Sequence, residues 1–404
     1  MDTQQEGIII LGSTGSIGRN TLAVIEQNPH LFRVDGLSCF GNIQELAEQI
    51  IVFKPRVVAT AEGKAGLLRE TLGGRVSDLA ILEGRQGFIE LAQYPDARKL
   101  VAAMVGAAGI EPVIAGIRSG KTIALANKES LVLAGELLLH EAKVNSVPIL
   151  PIDSEHNAVF QSLYGEQKKD LAYITLTASG GPFRTRNRDE FDEITVKEAL
   201  NHPNWEMGRK ITIDSATMMN KCLEIIEAKW LFDIRPDQIK VLIHPQSIVH
   251  SMVTFRDAST ICQMGTPDMK IPIANCLGYP DRILSGAAFL DLSKVSDLSF
   301  EEPDLEKFPS IQLAYDVLEL GGGAPAALNG GNEVLVDCFL KEEIGFTRIF
   351  EILSSTVQTI RDMHSNNQIK ELPFLKKTNE LSDAIQADQW GRNFAAANLH
   401  RKQA

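Results

Sequence analysis

Gly7-Ile-Ile-Ile-Leu11-Gly12-Ser-Thr-Gly15-Ser-Ile-Gly18 is the stretch on which the reading of the fold turns. Residues 7–11 read as a short apolar strand, residues 12–18 as a turn with a glycine at every third position, and residues 19–27 as an amphipathic helix. A strand, a glycine-rich turn and a helix start make a dinucleotide-binding geometry. The glycines let the backbone approach a pyrophosphate closely, and the helix N-terminus faces it. The spacing is G-x-x-G-x-x-G and departs from the commoner G-x-G-x-x-G, so a tight βα turn of some other α/β protein fits the same residues.

Working outward, strand-like runs recur at 33–39, 56–60, 79–83, 100–105, 122–126 and 147–152, with helical periods between most of them. That succession predicts a doubly wound, mostly parallel Rossmann-like sheet with ligands outside the carboxyl ends of its strands. The second strand ends Ser38-Cys39-Phe40-Gly41-Asn42, with no acid at its tip, and Asp35 falls too early within it. The missing carboxylate leans the coenzyme toward NADP, although no Lys or Arg follows at once to clamp a 2′-phosphate. Next, Leu125-Ala-Asn-Lys-Glu-Ser130 stands at the mouth of the expected sheet. Asn127 and Glu129 suit a nicotinamide ribose and Lys128 an anionic substrate; equally, Asn127 suits a helix cap with Glu129 in the first turn.

The chemistry is placed at Pro151-Ile-Asp-Ser-Glu-His-Asn157. In an extended segment Asp153 and Glu155, two residues apart, point to one side. Paired carboxylates are hard oxygen ligands for Mg²⁺ or Mn²⁺, and Glu224 is the candidate third. Solvated surface acids are the ordinary alternative for an isolated D-x-E. Further on, Ser179 with Gly180 and Gly181 offers a hydroxyl and successive N–H groups to a phosphate, or simply a glycine turn. His202 and Trp205 lie in a polar loop, where the aromatic is a packed anchor or the tip of a closing loop. Residues 210–213 read as a strand and Ser215 onward as a helix, on which Asn220, Lys221 and Glu224 share one face among apolar neighbours. His244 and His250 lack a second His at metal spacing, and Cys222 lacks a base partner, so none of these is assigned chemistry.

Composition bounds the rest. The chain has 404 residues, 44% hydrophobic and 23% charged, with a formal charge of −12. That length implies two or three domains, and that charge argues against nucleic-acid or anionic-membrane partners. Five scattered cysteines, never spaced C-x-x-C, suit a reducing compartment. The polar N-terminus shows no signal peptide, and the longest apolar runs fall short of a membrane span, so a cytoplasmic protein is expected. Helical periods at 311–320, 324–340, 347–363 and 381–400, with Gly321-Gly-Gly323 and Gly330-Gly331 read as breaks, predict a helical bundle without chemistry of its own.

Taken together, the colinear blocks GSTGSIG, LANKES, DSEHNA, SGGPFR, HPNWEMG, KITIDSATMMNK and HPQSIVHSM resemble the 1-deoxy-D-xylulose 5-phosphate reductoisomerase family over nearly the whole chain. The resemblance implies an NADPH-binding domain at 1–150, a central α+β catalytic domain at 151–290, a linker at 291–310 and a four-helix bundle at 311–404, assembled as a homodimer. It implies one divalent cation, Mg²⁺ or Mn²⁺, on Asp153, Glu155 and Glu224. Substrate contacts fall on Lys128, Ser154, Glu155, Ser179, His202, Ser215, Asn220, Lys221 and Glu224, with Trp205 as a lid. Nucleotide contacts fall on Thr14, Gly15, Ser16, Ile17, Asn42, Asn127, Glu129 and Gly208, beside the turn glycine Gly12 and Gly41 at the strand tip. The catalytic groups that the resemblance implies are Asp153, Glu155, Lys221 and Glu224. The implied reaction rearranges a ketose phosphate and reduces the resulting aldehyde with NADPH. A simpler aldehyde or homoserine-type dehydrogenase, or a redox-sensing NADP-binding regulator, has no use for three carboxylates around a metal. Three departures stand out: Gly41 where some members carry a basic residue, Cys222 for the usual glycine, and Gly330-Gly331 for an Ala-Ala pair.

Overall fold

The expected succession of apolar runs and helices builds one parallel sheet in the computed structural model, which describes residues 5–76, 78–202, 205 and 207–400. Its strands are β1 (Glu6–Leu11), β2 (Phe32–Ser38), β3 (Val57–Thr60), β4 (Ala80–Glu83), β5 (Lys99–Ala102), β6 (Thr122–Leu125) and β7 (Ile149–Pro151). They lie in the order β4-β3-β2-β1-β5-β6-β7, every neighbouring pair parallel. Ile8 to Leu11 are fully buried, because helices cover both faces of such a sheet and leave no polar side for alternation. The order reverses at β1, so the ligand crevice of this architecture opens at the carboxyl ends of β1 and β5.

By its contacts the chain divides into two compact units. The first comprises Met1–Ser130, Leu138–Phe160 and Asp268–Leu290; the second comprises Leu131–Leu137, Gln161–Pro267 and Asp291–Ala404. The seven-stranded sheet belongs to the first. Its core is completed from far along the chain: Ile273, Ala274, Cys276 and Leu277, on the helix Lys270–Gly278, pack with Ile8, Ile10, Val24, Leu150 and Ile152. The same segment is tied by polar bonds, with Asn157 Nδ2 donating to Asn275 Oδ1 at 3.0 Å and Asn28 Nδ2 to the Leu284 carbonyl at 2.7 Å.

The second unit carries a mixed sheet of β8 (Leu171–Ala178), β9 (Ile239–Ile243), β10 (Val249–Phe255) and β11 (Thr260–Met264), in the order β11-β10-β8-β9. Only the β8–β9 pair is parallel. The helices Ser310–Leu320, Ala324–Leu340, Phe346–Ser365 and Leu381–Asn398 form the expected C-terminal helical region.

Two local expectations fail for physical reasons. Residues 210–213 are not a strand; they lie in the helix Arg209–Ala216. Four residues of alternating polarity satisfy either period. The helix is selected by burying Thr212, Ile213 and Ala216 and by a Lys210–Asp214 pair at i,i+4, 3.0 Å apart. Gly330-Gly331 is not a break; both glycines sit inside the continuous helix Ala324–Leu340. A Cβ on Gly330 would lie 2.2 Å from the Asp388 carbonyl oxygen, and one on Gly391 would lie 1.9 Å from that of Ala327. The glycines therefore let this helix and Leu381–Asn398 touch backbone to backbone. Gly321 and Gly322, with φ of 68° and 53°, do end the preceding helix.

Cys39, Cys222, Cys276 and Cys338 are buried and Cys262 is exposed on β11. Burial raises the thiols of Cys39 and Cys338 to about 11 and raises Cys222 and Cys276 further still. Among the described residues no helix is long and apolar enough to cross a membrane.

Candidate active site

In the first unit the chain leaves β1 through Gly12, whose φ of +83° only glycine adopts without strain. A Cβ there would also meet the Ala103 carbonyl at 2.6 Å. Gly18 serves packing instead, since a Cβ on it would lie 2.4 Å from Ser13 Cα; the bare glycine lets the helix seat closely on the turn. The helix Ser16–Gln27 starts at Gly15 with no side-chain cap and no acid in its first turn. Its leading N–H groups and its dipole are thus arranged for an anion such as a pyrophosphate. Thr14, Gly15, Ser16 and Ile17 form the partly exposed rim of this turn.

At the end of β2, Ser38 is fully buried and its hydroxyl accepts the Gly12 N–H at 3.0 Å, which makes it a brace of the turn. Gly41 is exposed, and a Cβ added to it would have no atom within 4 Å. Asn42 caps the helix Ile43–Phe53 through the Glu45 N–H at 3.2 Å. Asn127 realises the capping alternative: its Oδ1 accepts from Ser130 N at 3.0 Å at the head of the helix Lys128–Val144. Its amide also donates to the carbonyls of Met104 at 2.7 Å and Gly106 at 3.1 Å and to Glu129 Oε2 at 2.8 Å. Asn127 and Glu129 are thereby a buried, internally bonded pair at the carboxyl edge of the sheet.

Beyond β7 the extended reading of Asp153 and Glu155 fails. The helix Ser154–Ser162 begins at once, with Glu155 in its first turn and the Asp153 carbonyl accepting from Asn157 N at 2.8 Å. Asp ahead of a helix with Glu in its first turn suits the positive end of the dipole, which is why the segment winds. The two carboxylates nonetheless bring oxygens within 4.8 Å of each other. A six-coordinate ion with bonds of about 2.1 Å holds oxygens roughly 3 to 4 Å apart, so donor type and spacing fit a small divalent cation. Lys128 donates to Asp153 Oδ2, and Ser154 Oγ donates to Glu155 Oε2 at 2.6 Å. His156, fully buried, sets Nδ1 3.9 Å from Asp153 Oδ1; sequence reasoning missed it, although i,i+3 from an aspartate at a helix start was the available signal.

In the second unit β8 delivers Ser179 to a turn in which Gly180 and Gly181 have φ of 85° and 67°. The bare Gly181 allows close approach by the end of the helix Arg209–Ala216, since its Cβ would lie 2.8 Å from the Ser215 carbonyl oxygen. His202 Nδ1 accepts the Trp205 N–H at 3.0 Å, which leaves the proton on Nε2, 3.1 Å from Ser179 Oγ, as donor to that hydroxyl. Burial lowers the His202 pKa and so favours this neutral form. Pro203, Asn204 and Glu206 of the same loop lie outside the described residues; Gly208 is an open N-cap with nothing within 4 Å of an added Cβ.

The helix Met219–Phe232 follows Met218, whose φ of 60° is unusual for a non-glycine and marks a forced turn between two helices. On its buried face Asn220 and Lys221 both donate to Glu224, and Lys221 donates as well to the Thr177 carbonyl of β8. Lys221 and Glu224 have only 3% and 1% of their side chains exposed, so this is no solvated helix face. Two acids that the sequence left unremarked are buried nearby in the chain. Glu227 stands one turn on from Glu224, and Asp214, beside Ser215, accepts from Asn332 Nδ2 at 2.7 Å.

Residues 8–135 match the family described as 1-deoxy-D-xylulose 5-phosphate reductoisomerase, residues 149–232 its C-terminal domain, and residues 264–394 the DXP reductoisomerase C-terminal domain. The 1-deoxy-D-xylulose 5-phosphate reductoisomerase of Citrifermentans bemidjiense is 47% identical over 392 residues, 96% of this chain and 98% of the relative. That of Geotalea uraniireducens is 48% identical over 386 residues, 95% and 96% of the two chains. Among solved structures, a DOX-P reductoisomerase in complex with NADPH, fosmidomycin and magnesium is 42% identical, covers 98% of each chain and superposes with a TM-score of 0.90. The Zymomonas mobilis enzyme in complex with NADPH is 38% identical, also with a TM-score of 0.90, over 99% of this chain and 100% of its own.

Proposed function

The chain belongs to the 1-deoxy-D-xylulose 5-phosphate reductoisomerase family, and from that premise we infer how its own side chains divide the work. It is an NADPH-dependent oxidoreductase that, with a divalent cation, converts 1-deoxy-D-xylulose 5-phosphate to 2-C-methyl-D-erythritol 4-phosphate for isoprenoid synthesis. When bound, the cation supplies Lewis-acid polarisation of substrate oxygens and the coenzyme supplies hydride.

In our reading Asp153, Glu155 and Glu224 hold the cation. What carries the assignment is the Asp153–Glu155 pair, two hard carboxylates with converging oxygens at the end of a sheet strand, beside the cationic Lys128. Lys128 neutralises part of that charge and meets an anionic substrate oxygen, while Ser154 orients Glu155. Lys221 does the same for Glu224, which Asn220 also grips, so the third carboxylate is paired and aimed despite its burial. Ser179, with the backbone N–H groups of its glycine turn, and Ser215 bind phosphate and hydroxyl oxygens. His202 sets the Ser179 hydroxyl through its Nε2 proton, and Trp205, tied to that ring, closes over substrate to exclude water. Gly12, Thr14, Gly15, Ser16 and Ile17 would hold the coenzyme, with Gly41, Asn42, Asn127, Glu129 and Gly208 as its further contacts.

On this reading residues 1–150 serve the coenzyme, 151–290 the metal and substrate, and 311–404 brace the catalytic part across a linker at 291–310. A cytoplasmic homodimer is the assembly we expect, from the acidic composition, the unpaired cysteines and the family resemblance; sedimentation of the purified chain tests its stoichiometry. For the site, Asp153→Asn, Glu155→Gln and Glu224→Gln are each expected to weaken Mn²⁺ binding in calorimetry and to cut turnover. NADPH binding, followed by coenzyme fluorescence, should stay near wild type. Full activity in excess chelator would refute the metal assignment.

A further inference from the structure

The coenzyme's 2′-phosphate needs a cation beside the end of β2, yet the usual places are empty of charge. Ser38 is buried under the Gly12 N–H, and Gly41 offers no side chain. One guanidinium does reach this edge. Arg19, on the second turn of the helix Ser16–Gln27, donates from Nε at 3.1 Å and Nη2 at 2.8 Å to the Thr14 carbonyl. The same Nε lies 2.7 Å from Glu45 Oε1, with 60% of the Arg19 side chain and 23% of the Glu45 side chain exposed. Glu45, in the first turn of Ile43–Phe53, also accepts from Asn42 Nδ2 at 2.7 Å. Arg19 thus bridges the glycine turn and the β2 turn, the two pieces of backbone that flank the adenosine ribose in this architecture.

We propose that Arg19 is the group that recognises the 2′-phosphate in this chain, and that Glu45 is its resting counter-ion, so that the Arg19–Glu45 pair sets the preference for NADPH over NADH. A guanidinium fork matches phosphate oxygens bidentately. An ion pair this exposed adds little to stability and exchanges partners readily. The incoming phosphate takes Arg19 from Glu45, while the Glu45 carboxylate, still close, opposes the dianion and limits the preference. Glu45 does the work of the absent strand-tip acid from four residues further on, without the geometry to bind a ribose hydroxyl as an acid at Gly41 would.

The inference rests on NADPH being the coenzyme, and the test separates the two. The purified full-length chain, without substrate, is titrated with NADPH, NADH, 2′,5′-ADP and 5′-ADP, following coenzyme fluorescence and calorimetry. Arg19→Gln should weaken NADPH and 2′,5′-ADP by roughly tenfold to a hundredfold, the range of a charge-assisted contact, and leave NADH and 5′-ADP within about threefold. Arg19→Lys should restore part of the loss, and Glu45→Gln should tighten NADPH severalfold with NADH little changed. If Arg19→Gln weakens all four ligands alike, Arg19 only braces the turn through Thr14 and the proposal falls. It falls equally if Glu45→Gln leaves the NADPH-to-NADH ratio untouched. A wild-type chain that does not bind NADPH would overturn the coenzyme reading itself.

Discussion

Two adjacent glycines in the helix Ala324–Leu340 should respond in opposite directions to the same substitution. A methyl on Gly330 would sit 2.2 Å from the Asp388 carbonyl oxygen and 2.9 Å from its carbon, both backbone atoms that cannot rotate aside. Relief requires the facing helix to withdraw by about 1 Å, and overpacking of this kind costs about 1 to 3 kcal/mol. The helix-propensity gain of Gly→Ala returns at most about 1 kcal/mol. Gly331, one residue on, has its nearest neighbour at 3.5 Å, the flexible Leu353 Cδ2, so Gly331→Ala keeps the gain without the clash. With the full return, Gly330→Ala should therefore lose up to about 2 kcal/mol and Gly331→Ala gain up to about 1 kcal/mol. Urea unfolding followed by circular dichroism reads both. Function should follow, because Asn332, on the same helix, holds Asp214 at 2.7 Å beside Ser215. Gly330→Ala is expected to raise the substrate KM and Gly331→Ala to leave it. Shifts of the same sign in the two variants would refute the close-approach account.

Three further outcomes follow from the structure. The His202 pKa is lowered by burial, so its contribution to stability is present above the ordinary histidine value of about 6.5 and is lost as pH falls through the lower folded value; NMR titration giving a value at or above the ordinary one would contradict the neutral ring. A maleimide at neutral pH should label Cys262 quickly and the four buried, high-pKa thiols slowly, and mass spectrometry showing rapid multiple labelling would count against their burial. Gly41→Lys has open space to place an ammonium near the 2′-phosphate, and the ratio of kcat/KM for NADPH to that for NADH should widen; no change would mean that another cation already suffices.

The parallel sheet was legible because each strand repeats the same local pattern, and buried apolar runs between helices admit few other arrangements. Where the outcome depended on a distant partner, pattern reading failed. Ile211 and Ile213 alternate as a strand does, and only the burial of Thr212 and Ala216 beside them, with Asp214 reached by Lys210 and Asn332, makes the segment helical. Gly330 reads locally as a helix breaker; the reason for it lies at Asp388. The acidic pair at 153 and 155 was visible as residue types, but the backbone that carries it was not, since a strand continued past β7 and a helix begun there both use D-x-E. Arg19 and Glu45 each look like ordinary surface charges until the two turns are brought side by side.

The membership of Asp268–Leu290 in the first unit bears on how the chain acquires its shape during synthesis. All seven strands of the parallel sheet have been made once Pro151 is in place. The helix Lys270–Gly278 that covers part of their core follows roughly 120 residues later, a delay of about 6 to 24 s at ordinary elongation rates. Through that interval the apolar surface awaiting Ile273 and Leu277 has no native cover, and the carbonyl of Leu277 has not yet met Lys99. The coenzyme-binding half is therefore first in sequence yet unfinished until its last segment, Asp268–Leu290, has been made, and a fragment cut after residue 160 would keep its glycine turn yet carry a sticky, incomplete core.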